Sequence, residues 1–162
     1  LWDDPLLASG WLSYRSAGAG VLERYSAVIS ELCRKLESMK ITETFQSVYA
    51  LVRFLIARLR FQAALLDAWK AGKPGDVRQL AETRIPELVA LLDDFSSGIR
   101  AEWLRTARPF GLEIIQRRNA GVRERFLELL RRLRETDEIP ELDAQLSALE
   151  AGVRTPLRNT FC

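Results

Sequence analysis

TETFQSVYALVRFLIARLRFQAALLDAWKA, residues 42–71, sets the architecture of the chain. Phe45, Val48, Tyr49, Val52, Leu55, Ile56, Leu59, Ala63, Leu66 and Trp69 recur at steps of three and four, the period of an amphipathic helix and not the alternation of a strand. Arg53, Arg58, Arg60 and Asp67 fall mainly off that stripe, so one side is expected to face a core and the other water. A helix of this extent is about 45 Å long at 1.5 Å per residue.

Working outward, Ala71-Gly72-Lys73-Pro74-Gly75-Asp76 is the strongest turn signal, with glycine able to close one helix and Asp76 placed to cap the next. The next helix, about Val77 to Thr106, carries Val77, Leu80, Leu88, Leu91, Leu92, Phe95, Ile99, Trp103 and Leu104. Pro86 inside it predicts a kink near Thr83 to Pro86, or a short helix followed by a fresh start, because proline removes a backbone donor. Arg108-Pro109-Phe110-Gly111 breaks the pattern again. A helix from about Leu112 to Arg134 follows, using Ile114, Ile115, Val122, Phe126, Leu129 and Leu133. Glu138-Ile139-Pro140-Glu141 opens a short last helix through Leu149. Upstream, Gly20 to Met39 holds Val21, Leu22, Tyr25, Val28, Ile29, Leu32, Cys33 and Leu36 at helical spacing, after an irregular lead-in containing Asp4-Pro5 and Ser16 to Gly20. Short connections force consecutive helices side by side, so the expected fold is all-α: an antiparallel bundle of about five helices, several long, one with a proline kink. It spans residues 1–151, and residues 152–162 form an unpatterned tail.

With 24 Lys plus Arg against 22 Asp plus Glu, a net charge of +2 and 48% apolar residues, the 162-residue chain has the composition of a folded, soluble protein of one or at most two domains. It has no histidine, which excludes Ser-His-Asp and Cys-His nucleophiles and any histidine-ligated metal. Cys33 and Cys162 make neither a zinc pattern nor a disulfide framework, and a buried Cys33 with a loose terminal thiol is expected. Neither a metal nor a cofactor is expected. No apolar run suffices to cross a bilayer and no signal peptide is visible, so no membrane partner and a cytoplasmic setting are expected. The chain opens at Leu1 without an initiator Met, which points to a longer parent protein.

Asp3-Asp4 and Asp93-Asp94 are the candidate acid pairs for glycosidase chemistry. Neighbours on a helix diverge by about 100°, so Asp93 and Asp94 cannot address one bond, and Asp3-Asp4 sits in the lead-in. Of the 24 basic residues 20 are arginine, and Arg117, Arg118, Arg123, Arg125, Arg131, Arg132 and Arg134 share one helix. Glu113, Glu124, Glu128 and Glu135 interleave with them, and Glu124 and Glu128 facing Arg131 and Arg132 make a salt-bridged solvent face that argues against nucleic-acid binding. Trp69 belongs to the helical stripe and is expected in the core; Trp103 stands before a corner, where functional residues concentrate.

The order of segments resembles the all-helical C-terminal domain of bacterial glycoside hydrolase family 20 β-N-acetylhexosaminidases. Leu1-Trp2-Asp3-Asp4-Pro5-Leu6-Leu7 is similar to the segment leaving the catalytic barrel, Phe61 to Trp69 with Ala71-Gly72-Lys73 to the second helical stretch, and Arg84-Ile85-Pro86-Glu87-Leu88 to the proline-containing helix start. Glu102-Trp103-Leu104-Arg105-Thr106-Ala107-Arg108-Pro109-Phe110-Gly111-Leu112-Glu113 looks like the Trp-x-x-x-x-x-Pro-x-Gly corner, continued by Arg118, Gly121 and Arg125. The chain departs from the pattern at Gln116 and at Ala120-Gly121, and its tail matches nothing in it.

The resemblance implies hydrolysis of terminal N-acetylglucosamine or N-acetylgalactosamine by substrate assistance, with an Asp-Glu pair carried by the barrel. No βα alternation and no room for a barrel of about 250 residues exist here, so no residue of this chain is catalytic. It implies instead a noncatalytic module that packs on the catalytic barrel of the parent chain and contributes to a homodimer interface or to the wall of the sugar site, meeting the amino-sugar substrate only through the parent. Trp103, Arg105, Arg108, Phe110 and Arg118 are the residues expected at that interface or wall. The alternative is an independent all-α interaction or scaffold protein whose exposed stripe docks a partner helix.

Overall fold

The structure, a computed structural model, describes residues 43–106 and 110–150, with residues 27, 28, 30–32, 34, 35 and 38. Four helices have defined bounds: α1, Glu43–Lys70; α2, Pro74–Thr106; α3, Leu112–Glu135; and α4, Pro140–Glu150. The described residues between 27 and 38 are also helical, and no strand occurs among the described residues. The all-α reading holds, with bounds close to those expected from the sequence. The lead-in, the tail, both cysteines, Asp3-Asp4 and Arg108 lie outside the described residues.

The α1–α2 turn follows its glycine. Gly72 takes φ +66°, the left-handed conformation that a side chain disfavours, and its N–H donates to the Trp69 carbonyl at 3.0 Å. Asp76 does not cap α2 from outside. The helix begins two residues earlier, at Pro74, where the missing N–H costs nothing, and Asp76 sits in the first turn with its carboxylate 3.9 Å from Lys73 Nζ. Nor does Pro86 force a fresh start, since α2 continues through it. Pro86 and Glu82 are both exposed, so the carbonyl deprived of its partner can be hydrated.

α1 and α2 pack antiparallel. A Cβ built on Gly98 would stand 3.2 Å from Ser47 Cα, so the two backbones nearly touch at the end far from the turn. Val77, Ala81, Ile85, Leu88, Leu92 and Phe95 of α2 are buried at helical spacing against Phe54, Phe61, Leu65 and Leu66 of α1. α3 closes the core with Val122, Phe126, Leu129 and Leu133. Phe126 is fully buried and receives Phe54 and Phe61 edge-on, with ring centroids at 6.3 and 6.2 Å.

The stripe expected on α1 is out of phase with this core. Phe45 and Val48 are exposed, and most of the remaining stripe is half-buried, whereas Ser47, Phe54, Arg58, Phe61, Gln62 and Leu65 are buried. Arg58, expected in water, is buried with its guanidinium 5.9 Å from the Phe126 ring centroid. The reason is that α1 is apolar on most sides, so its periodicity admits several faces and only the arriving partners choose one. Leu104 and Ile114 also stand exposed on the outer turns of α2 and α3.

α4 is tied down by a polar seam. Ile139 and Leu142 are buried, Trp69 Nε1 donates to Asp143 Oδ1 at 2.8 Å, and Arg132 Nη1 donates to Glu141 Oε1 at 2.6 Å. Trp69 is therefore half-buried rather than wholly enclosed, its indole polar edge spent on α4.

Candidate functional site

The Trp103 to Gly111 corner is built by a contact between its two ends. Gly111 takes φ +93° and ψ −19°, and a Cβ placed there would lie 3.3 Å from Cζ2 of Trp103 and 3.8 Å from Cη2. The indole thus rests on bare glycine backbone, which explains why an aromatic and a glycine are needed at this spacing. Glu113 reaches back from the first turn of α3 and accepts the Gly111 N–H at 2.9 Å, placing negative charge at a helix N-terminus that Gly111 itself leaves without a side-chain cap.

Of the residues expected to act here, Trp103 is half-buried in this contact. Arg105 is exposed and its guanidinium pairs with Glu102 at 2.9 Å along its own helix. Phe110 is 82% exposed at the apex of the corner. Arg118 is exposed on α3, and Arg108 lies outside the described residues. The structure brings Trp103, Phe110 and Gly111 together at one end of the bundle.

That end is apolar. Five of the seven large apolar side chains exposed among the described residues, Phe45, Val48, Leu104, Phe110 and Ile114, come from the start of α1, the end of α2 and the start of α3. These termini meet there because Ser47 lies against Gly98 and, one turn inward, Asn119 Nδ2 donates to Ser96 Oγ at 3.0 Å. Asn119 is buried, and Ser96 Oγ in turn donates to the Leu92 carbonyl at 2.8 Å. Sequence reasoning overlooked this polar clamp, whose one visible signal was an asparagine on the apolar side of α3.

The charged residues divide between helices rather than along one. Arg131 does pair with Glu124 and with Glu128, the latter at 3.3 Å. Arg132, by contrast, turns to Glu141 of α4, Arg123 to Asp93 at 3.6 Å and Arg134 to Glu82 at 3.1 Å of α2. The Arg132 hydrogen bond holds the Glu141 carboxyl below the usual carboxylate range and its own guanidinium above its ordinary value, each against a smaller opposing effect of burial. Asp93 and Asp94 are both exposed, without the enclosure an acid pair would need.

A second feature lies on the α1–α2 face nearer the turn. Ser30, Arg34, Arg53, Arg60 and Arg84 stand around a cleft of about 540 Å³, over a floor that includes Ile56, Ala57, Phe61 and Leu88. The sequence hinted at it only through Arg53 and Arg60, seven residues apart on one helix.

The sequence model described as Glycoside Hydrolase 20C C-terminal domain matches residues 1–154. Neither a curated protein nor a solved structure matches the chain.

Proposed function

Because the chain belongs to the Glycoside Hydrolase 20C C-terminal domain family, we propose that it is the noncatalytic helical module of a β-N-acetylhexosaminidase, seated on the catalytic barrel through the apolar end of the bundle. The barrel carries the acids that cleave terminal N-acetylglucosamine or N-acetylgalactosamine, and this module buttresses it. The observation that carries the docking is Phe110, 82% exposed next to Gly111, whose backbone packs on Trp103, with Leu104 and Ile114 exposed on the adjoining turns of α2 and α3. A large apolar side chain is poorly placed in water, and its burial against a partner contributes about 1.5–3 kcal/mol. Trp103, Arg105, Arg108 and Arg118 then line the barrel contact, with a share in the sugar-site wall or a dimer interface if the barrel presents its site at this end.

Two measurements test the reading. The isolated chain, assayed on a chromogenic N-acetylglucosaminide, is expected to give no turnover; turnover by the purified chain refutes the noncatalytic assignment. In the parent protein, Phe110→Asp combined with Leu104→Asp is expected to split one melting transition into two and to expose the junction to protease. A parent that melts and resists protease as before would remove the docking end from consideration.

A further inference from the structure

The cleft on the α1–α2 face is lined by four guanidinium groups and a single carboxylate, Glu87. That carboxylate is engaged by Arg84 at 2.9 Å, and Arg34 is held by Glu31 at 2.7 Å. Arg53 and Arg60 differ. Among the described residues no carboxylate is within ion-pair distance of either: Arg53 lies 5.7 Å from the Tyr49 ring centroid, and Arg60 Nη2 donates to Ser30 Oγ at 3.3 Å. They are seven residues apart, about 10 Å along α1, on the same side of the helix. Between them the floor is apolar, with Ile56, Ala57 and Leu88. None of Phe45, Val48, Leu104, Phe110 and Ile114 lines the cleft, so it is separate from the end assigned above to the barrel.

We propose that this cleft binds a small organic anion: a phosphate or carboxylate group received by Arg60 and Arg53, on an apolar or flat ring body that lies over Ala57 and Leu88. The volume of about 540 Å³ is that of a small-molecule site rather than of a groove for a partner helix. Guanidinium groups match planar and tetrahedral oxyanions through paired N–H donors, and the excess of cations over carboxylates leaves the rim complementary to negative charge. An inorganic ion would leave the apolar floor wet, and a neutral ring would leave two arginines unanswered. Both parts of the ligand are therefore required.

The test is calorimetric titration of the full chain with 1-naphthyl phosphate, inorganic phosphate and 1-naphthol. One molecule of naphthyl phosphate is expected to bind per chain, about tenfold or more tighter than either fragment. Arg53→Gln with Arg60→Gln is expected to weaken it by about tenfold for each guanidinium removed, with melting unchanged because both side chains are exposed. Ala64→Trp, which fills the cleft without altering charge, is expected to abolish binding. No saturable heat with naphthyl phosphate at millimolar concentration, inorganic phosphate binding equally well, or undiminished binding by the folded double arginine variant would each overturn the proposal. If Ala64→Trp does not fold, the arginine variant alone decides.

Discussion

Replacing Gly111 with alanine tests the corner where sequence, backbone and packing meet. At φ +93° and ψ −19° the glycine lies outside the left-handed helical well that an L-residue can tolerate, so a Cβ there costs about 1–2 kcal/mol in backbone strain. The same Cβ would press on Trp103 Cζ2 at 3.3 Å, forcing the half-buried indole outward by a few tenths of an ångström at about 1 kcal/mol. Against this, alanine stiffens the unfolded chain and returns roughly 0.4–1 kcal/mol. The net is a loss of about 2 kcal/mol, or a fall in Tm of about 4–8 °C for a domain of this size. Gly121 is the internal control. It sits inside α3 with nothing within 4 Å of its would-be Cβ and no positive φ, so Gly121→Ala is expected to stabilise by about 0.5–1 kcal/mol. The assay is thermal and urea unfolding followed by far-UV circular dichroism, with Gly111→Asn as a third variant expected to fall between alanine and wild type because asparagine enters positive φ more readily. If Gly111→Ala melts with or above the wild type, neither the positive φ of Gly111 nor its contact with Trp103 helps to hold the fold.

Phe126→Ala removes the ring on which Phe54, Phe61 and Arg58 converge and should cost about 3–5 kcal/mol in urea unfolding, enough to leave much of the chain unfolded at ordinary temperature. Gly98→Val should destabilise by about 2 kcal/mol, since its Cβ would meet Ser47 Cα at 3.2 Å and a backbone cannot turn aside as a side chain can; an unchanged midpoint would show that the α1–α2 crossing is looser than described. Glu141 titrates below its unfolded-state range because Arg132 stabilises the carboxylate, so its contribution is fully present above about pH 4.3 and fades as pH falls through the lower folded value. Glu141→Gln should accordingly be less stable than wild type at neutral pH and should converge with it in acid; a gap between the two that persists unchanged at low pH would contradict the pairing. Asn119→Ala strands Ser96 Oγ without its donor but leaves Ser96 its bond to the Leu92 carbonyl, so a loss of only about 1 kcal/mol is expected in the same assay.

Much of this architecture follows from local rules, and those rules are written into the chain. Residues 42–71 have no turn signal and a three-to-four apolar step; Gly72, Pro74, the 108–111 break and Pro140 punctuate the rest, and the observed helix bounds follow them closely. The absence of histidine likewise needs no coordinates to rule out whole classes of catalyst. What local rules could not supply is the choice among faces. α1 is apolar on most sides, and its buried face, with Arg58 and Ser47 on it and Phe45 and Val48 off it, was selected by α2 and α3 as they packed. Partnership of charges was also a tertiary outcome: spacing along α3 offered Arg132 to Glu128, yet Glu141 arrived on α4 at 2.6 Å from Arg132, while Arg131 took Glu128 at 3.3 Å. Trp103 and Gly111 were visible as a motif but not as a contact, and of the cleft only the seven-residue spacing of Arg53 and Arg60 could be read along the chain. Periodicity along a helix fixes which residues are neighbours on its own surface, whereas the burial that decides their fate depends on surfaces contributed by distant parts of the chain.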